Sequence, residues 1–298
     1  VLIVDADEGV QEQTRRHAYI LSMLGISQVM VVMNKMDLVE YSEDRYKEVL
    51  AELKVFLGKI GISPDHIVPI SAQKGDNVAT VSSNMDWYEG PTVLQALDGF
   101  VSAPSNDELD MRFAVQDVYK REKRIIVGRV EAGVLHAGDD VTILPSGEKT
   151  AVASIEEYGT EDVQSAESGQ ATGIVTADKV FIDRGDIVCA GTLPAVVDTF
   201  KASVFWMSKE PLVAGERIVL KLATQNVICS VELDRVLDSS TLEVLDTDTL
   251  ADRQVADVTI KTEKPIVVEE FACVQELGRF VLERMNTCAG GIVREVEK

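Results

Sequence analysis

Histidine is nearly absent from this chain, with 3 among 298 residues, and the 4 cysteines carry no CxxC spacing. A metal centre built from clustered imidazoles and thiolates is therefore not expected. Cys189, Cys229, Cys273 and Cys288 stand in apolar stretches and read as buried free thiols of a reducing cytoplasm. No apolar run approaches the roughly 18 residues of a membrane-crossing helix, so no membrane association is expected. Cations are scarce as well: 29 Lys and Arg oppose 50 Asp and Glu, a net charge of -21. Holding long stretches of nucleic acid needs clustered Lys and Arg against the phosphates, which makes nucleic acid an unfavoured partner. The deficit is spread evenly, with residues 104–193 at -8 and residues 194–298 at -6. What is present is ordinary for a folded protein, 46% hydrophobic and 27% charged, at a length that suits about two domains.

The first hundred residues alternate strand and helix. Val1-Leu2-Ile3-Val4 opens at once as an apolar strand with no leading methionine, which reads as a start inside a domain. Gln11 to Leu24 reads as a helix ended by Gly25, and Gln28 to Met33 as a second strand. Ser42 caps a further helix whose Tyr46, Val49, Leu50, Leu53, Phe56, Leu57 and Ile60 fall on one face. His66 to Ile70 is a third strand, and Thr92 to Phe100 a short closing helix. Continuous apolar strands between helices predict a parallel sheet covered on both faces.

Near residue 102 the pattern changes. Ser102-Ala103-Pro104-Ser105-Asn106-Asp107 reads as a polar linker, after which short strands follow one another between turns such as Gly138-Asp139 and Pro145-Ser146-Gly147. That density of turn signals predicts small β-barrels, with a second boundary at Leu193-Pro194. The expected architecture is an α/β segment with a parallel sheet over 1–103, then antiparallel β-barrels over 108–193 and 194–298.

Chemistry concentrates at two predicted strand ends. Asn34-Lys35-Met36-Asp37 follows the second strand, where loops of a parallel α/β sheet face the ligand crevice. A carboxylate such as Asp37 can accept two hydrogen bonds from the ring N–H and exocyclic amine of guanine, a donor pair that adenine lacks. Asn34 can tie neighbouring loops, and the methylene stem of Lys35 can lie over the purine. Ser71-Ala72-Gln73-Lys74-Gly75 follows the third strand. Ser71 can brace Asp37, and the small Ala72 lets its amide approach the guanine carbonyl. Each motif alone is also compatible with a capped turn; together on consecutive strand ends they point to a guanine site.

These residues resemble the guanine-recognition half of translation-factor GTPases. The likeness continues through Asp5-Ala6-Asp7-Glu8-Gly9-Val10-Gln11-Glu12-Gln13-Thr14-Arg15-Arg16-His17 and through Gly128-Arg129-Val130-Glu131-Ala132-Gly133 in the first barrel. Within that superfamily the last barrel is most similar to the GTPase subunit of sulfate adenylyltransferase, including forms fused to adenylylsulfate kinase. Phe205-Trp206-Met207, Glu210-Pro211-Leu212, Leu220-Lys221-Leu222-Ala223-Thr224 and Gly278-Arg279-Phe280-Val281-Leu282 carry that similarity. Met85-Asp86-Trp87-Tyr88-Glu89-Gly90-Pro91-Thr92 is shared with archaeal-type elongation factors and separates the two poorly.

The resemblance implies GTP as ligand, with Mg²⁺ beside it. It also implies a catalytic sulfate adenylyltransferase subunit as partner, and GTP hydrolysis coupled to adenylyl transfer from ATP to sulfate. Two other readings stay open: an elongation factor delivering aminoacyl-tRNA, and an interaction scaffold with a vestigial nucleotide site. No G-x-x-x-x-G-K-[ST] and no DxxG occurs in the sequence, so phosphate and Mg²⁺ ligands are expected before Val1, no catalytic residue is assigned, and residues 1–298 alone are expected to be inactive. Of the remaining features, Lys120-Arg121-Glu122-Lys123-Arg124 reads as a solvated hairpin tip or a contact for an acidic or phosphorylated partner. Arg15, Arg16 and His17 read as a polar helix face, Trp206 and Met207 as barrel core, and Trp87 and Tyr88 as either packed loop or interface.

Overall fold

The computed structural model describes residues 1–26, 28–102, 105–120 and 123–296. Two compact units make up the chain: Val1–Ala103 with Asp238–Glu243, and Pro104–Leu237 with Val244–Lys298. Ala103 and Pro104 of the expected linker, and Arg121 and Glu122 of the basic cluster, lie outside the described residues.

In the first unit, β1 (Leu2–Asp5), β2 (Met30–Asn34) and β3 (His66–Pro69) form a parallel sheet in the order β1-β2-β3. Met30, Val31, Val32 and Met33 are all buried, as a central strand covered on both faces requires. Helix α1 (Glu12–Met23) follows β1, and α2 (Glu43–Lys59) connects β2 to β3. The Ser42 hydroxyl accepts from the Arg45 amide at 3.3 Å, while Glu43 and Asp44 complement the positive helix start. Val49, Leu53, Phe56 and Leu57 form its buried stripe. A short helix α3 (Val93–Asp98) is held by a reciprocal capping box between Thr92 and Gln95.

The second unit contains two closed barrels. The first consists of β4 (Arg112–Lys120), β5 (Arg124–Ala132), β6 (Asp140–Leu144), β7 (Glu148–Glu157), β8 (Ala171–Thr176) and β9 (Ile187–Cys189). They pair around the circuit β8-β5-β4-β9-β6-β7 and back to β8. Gly128 of β5 pairs with Val115 of β4, and a Cβ there would collide with the Ala114 carbonyl and the Phe113 ring. The second barrel is built from β10 (Ala195–Trp206), β11 (Arg217–Leu222), β12 (Gln225–Asp238), β13 (Gln254–Val268), β14 (Arg279–Glu283) and β15 (Thr287–Glu295). Its circuit is β11-β14-β15-β10-β13-β12, closed by β12 on β11.

Alternation sets the inside of each barrel: Ile218, Leu220 and Leu222 are buried while Arg217 and Lys221 face out. Trp206 is fully buried and its indole N–H donates to the Glu210 carbonyl at 3.0 Å. Met207 departs from the expected core position: the chain leaves the barrel there, and the side chain is 50% exposed. Cys273 also departs from expectation, because it sits in the turn before a short helical segment and is exposed, whereas Cys189, Cys229 and Cys288 are buried. The two barrels share apolar packing, with Ala114, Leu144, Ile187 and Cys189 in one cluster with Phe200, Trp206 and Phe280. Arg112 reinforces the junction. Its guanidinium donates twice to Glu269, at 3.0 Å each, and also to the carbonyls of Met111, Ala190 and Thr192.

Candidate functional site

The two motifs meet where β2 and β3 end. Parallel register pairs Asp5 with Asn34 and Met33 with Pro69, so the chain leaves adjacent strands at one edge of the sheet. Two backbone bonds stitch the departing loops: Ile70 N–H to the Met33 carbonyl at 2.8 Å, and Met36 N–H to the Ile70 carbonyl at 3.0 Å.

Every residue named from the sequence falls in this junction. The Asn34 side-chain oxygen accepts from the Lys35 amide at 2.7 Å and from the Ala72 amide at 3.0 Å, which ties one loop to the other. Asp37 lies in the single helical turn Met36–Val39, where Ser71 Oγ donates to its Oδ1 at 2.6 Å. Ser71 is fully buried, and its hydroxyl also accepts from the Lys74 amide at 3.2 Å. The serine therefore orients Asp37 through one carboxylate oxygen, while Ala72, Gln73 and Lys74 remain exposed. Because the Ala72 amide already bonds Asn34, any further acceptor there has to share that donor in a bifurcated bond.

Lys35 adopts a left-handed backbone (φ 65°), an uncommon conformation for a residue with a Cβ. Its ammonium lies 2.5 Å from Asp5 Oδ2 at the end of β1. Asp5 Oδ1 accepts from the amides of Asp7 and Glu8 at 2.9 and 3.2 Å. Burial pushes the Asp5 carboxyl upward, but the Lys35 ammonium and those two amides outweigh it and hold the group below its usual range. The Lys35 amine is raised, first by its hydrogen bond to Asp5 and then by that residue's charge. A cleft of about 690 Å³ beside β1 and α1 reaches this junction, with Ile3, Asp5, Gln13, Thr14, Asn34 and Lys35 in its wall.

A supporting network went unread in the sequence. Asp76 accepts from Tyr41 Oη at 3.0 Å, Ser82 Oγ at 2.6 Å and Asn84 Nδ2 at 3.3 Å. The neighbouring Asn77, left-handed and buried, donates to the Pro69 carbonyl at 3.0 Å and accepts from the Ser82 amide at 2.8 Å. These bonds clamp the loop after Ser71-Ala72 to the segment after Asp37. The polar Asp76-Asn77 pair directly after Gly75, in the loop that follows β3, was the available signal. Trp87 closes the same corner as packed loop, its indole donating to the Tyr41 carbonyl at 3.0 Å and its ring 5.1 Å from that of Tyr46. Among the described residues no group of three or more His, Cys, Asp or Glu is arranged to hold a metal ion. Nor is any helix among them long and apolar enough to cross a membrane.

A parallel α/β unit with paired loops at its strand ends, followed by two six-stranded barrels, is the architecture of translation-factor GTPases. Comparison with known proteins agrees over the length of the chain. Residues 1–103 match the elongation factor Tu GTP-binding domain, residues 123–189 match elongation factor Tu domain 2, and residues 199–294 match the GTP-eEF1A C-terminal domain-like family. Elongation factor 1-alpha of Methanopyrus kandleri is 39% identical across 100% of this chain and 75% of its own length. Sulfate adenylyltransferase subunit 1 of Aeromonas hydrophila is 35% identical across 100% of this chain, which spans 63% of that relative. Among solved structures, sup35 in complex with GDP superposes with a TM-score of 0.61 at 24% identity, covering 99% of this chain and 78% of the other. The chain belongs to the elongation factor Tu/elongation factor 1-alpha family of GTPases.

Proposed function

We propose that this chain carries the guanine-recognition residues of a GTPase that drives sulfate activation. The observation that carries the nucleotide reading is the Asp37 carboxylate, locked by Ser71 next to the Ala72 amide. An oriented carboxylate takes the ring N–H and the exocyclic amine of guanine as donors, and the Ala72 amide takes the guanine carbonyl as its second acceptor. Adenine presents an unprotonated ring nitrogen and an amine on the opposite side, so it leaves the carboxylate unpaired, which a site built for donors rejects strongly. Asn34 holds the two loops at the spacing the base needs, and the Lys35 stem covers one purine face. Mg²⁺ does not fit the described residues, which group no carboxylates for it, and no step here is routed through a metal.

For the particular reaction, we infer the GTP-binding, energy-coupling subunit of a sulfate adenylyltransferase. Adenylyl transfer from ATP to sulfate is uphill, and GTP hydrolysis on a neighbouring subunit supplies a reason for a GTPase to be present. The resemblance of stretches such as Phe205-Trp206-Met207 and Glu210-Pro211-Leu212 to such subunits, the 35% identity to one of them across the chain, and the acidic barrels, -8 and -6, support this reading. The partner is a catalytic sulfate adenylyltransferase subunit, with an adenylylsulfate kinase as a further associated or fused activity. Delivery of aminoacyl-tRNA is the second reading, favoured by the higher identity to elongation factor 1-alpha, 39% against 35%.

Co-purification of the full-length protein, phosphate-binding residues included, with the catalytic subunit, followed by a pyrophosphate-release assay, separates them. Sulfate-dependent release stimulated by GTP supports the first reading. GTP-dependent retention of aminoacyl-tRNA on a filter at low salt, without sulfate-dependent release, replaces it with the second.

A further inference from the structure

Lys35 is a flexible side chain asked to lie flat over a base, and the structure shows what holds it. We propose that Asp5 is a positioning residue for nucleotide recognition, which anchors the head of Lys35 so that its stem is already stretched beside the site before ligand arrives. This rests on the guanine reading above.

The backbone end of Lys35 is set by its left-handed conformation and by its amide bond to Asn34 at 2.7 Å. The far end is set by Asp5 Oδ2 at 2.5 Å. With both ends fixed, the stem runs from the end of β2 to the end of β1, a direction fixed by the Asp5–Asn34 register of the sheet. Asp5 is itself held through both carboxylate oxygens. Its other oxygen takes the Asp7 and Glu8 amides, and Arg45 of α2 pins the same turn by donating to the carbonyls of Ala6 and Asp7, at 2.8 Å each. The acidic groups facing the ammonium are Asp5, Asp7 and Glu8.

Stability does not explain the pair. Lys35 is half exposed, 49%, and ion pairs in such settings contribute little to folding. Ordering a long side chain in advance instead removes an entropic cost from binding. Losing that order is expected to weaken binding by roughly three- to tenfold.

Asp5→Asn separates the two jobs of the residue, because an amide oxygen still accepts from Asp7 and Glu8 while the charge that holds Lys35 is gone. Binding of GDP and ADP to the whole chain is measured by fluorescence anisotropy with labelled nucleotides, for the parent, Asp5→Asn, Lys35→Met and the double variant. In parallel, the Lys35 amine is titrated by NMR after isotopic methylation, its signal assigned by loss in Lys35→Met. The expected result is selective GDP binding by the parent and a three- to tenfold weaker Asp5→Asn. No further loss is expected when Asp5→Asn is added to Lys35→Met, and the Lys35 titration should move down in Asp5→Asn. Selective GDP binding that is unchanged in Asp5→Asn overturns the positioning role while leaving the guanine site intact. Loss in Asp5→Asn that adds fully to Lys35→Met also overturns it, since Asp5 then acts elsewhere. A parent chain that binds GDP no better than ADP removes the guanine reading and the role of Asp5 with it.

Discussion

Replacing Arg112 with alanine removes a buried, doubly hydrogen-bonded ion pair within the two-barrel unit. Arg112 and Glu269 retain only 4% and 15% of their side-chain exposure, so the carboxylate left behind faces little water. It loses both of its charge-assisted bonds, and the carbonyls of Ala190 and Thr192 lose the Arg112 donor, the last at 2.7 Å, while the Met111 carbonyl keeps the Ala190 amide at 3.1 Å. Breaking a buried pair on one side costs about 3–5 kcal/mol, most of it the uncompensated charge. Glu269→Ala leaves a buried guanidinium that still has three carbonyl partners, so its cost is smaller, about 2–3 kcal/mol. The double variant removes both charges and is expected to fall short of the sum of the singles by about 1–3 kcal/mol. Urea unfolding followed by near-ultraviolet dichroism reads this directly, because Trp206 is fully buried in the same unit. A loss below about 1 kcal/mol in Arg112→Ala, or singles that simply add, would refute the assignment of this pair as a structural clamp.

Other consequences are open to simpler tests. Arg284 donates to both oxygens of Glu216 at 2.8 Å, and this bond first, outweighing the rise from burial, holds the Glu216 carboxyl below its ordinary value of 4.5. The stability it contributes is present above that value and is lost as pH falls through the lower folded one; Glu216→Gln should destabilise at pH 7 and converge with the parent in acid. A constant gap between the two down to acid unfolding would contradict the linkage. Burial pushes the thiols of Cys189 and Cys229 up to about 12, so at pH 8 both should resist a disulfide reagent until urea unfolds the chain. The exposed Cys273 should react at once, and equal rates for several native thiols would count against the fold as described. Residues 1–298 contain no lysine-bearing phosphate loop motif, and a phosphate-release assay on this chain should stay at blank; turnover above blank would place hydrolytic groups among residues to which none is assigned.

Local pattern made some elements readable and hid others for physical reasons. The apolar run up to Asn34 marks a central parallel strand, and the recurrence of Ile218, Leu220 and Leu222 at every second position marks β11. Strand β13 runs through Pro265 to Val268. Lys261, Glu263 and Lys264 point outward while Thr262 and Ile266 stay buried, and Pro265 is accommodated near a register shift against β10, where a missing amide is tolerated. That proline reads as a turn when only neighbours in sequence are considered. The guanine-site residues were legible because two strand-end motifs carry their own donors and acceptors. Asp5 stands out in the sequence only within the stretch that resembles the family, since its meeting with Lys35 depends on the β1–β2 register and not on spacing. The same holds for Arg112 and Glu269, which lie 157 residues apart in the sequence and meet only on folding.

The central claim is that Asp37 reads the donor edge of guanine, and exchanging its chemistry tests that claim most directly. Asp37→Asn replaces an acceptor pair with one acceptor and one donor, while Ser71 still has an oxygen to bond. Xanthine carries a carbonyl where guanine carries the exocyclic amine. The variant should therefore lose roughly a hundredfold in GDP affinity and gain affinity for xanthosine diphosphate, measured by equilibrium binding of both nucleotides to parent and variant. GDP binding that survives Asp37→Asn unchanged, with no gain for xanthosine diphosphate, would contradict the account.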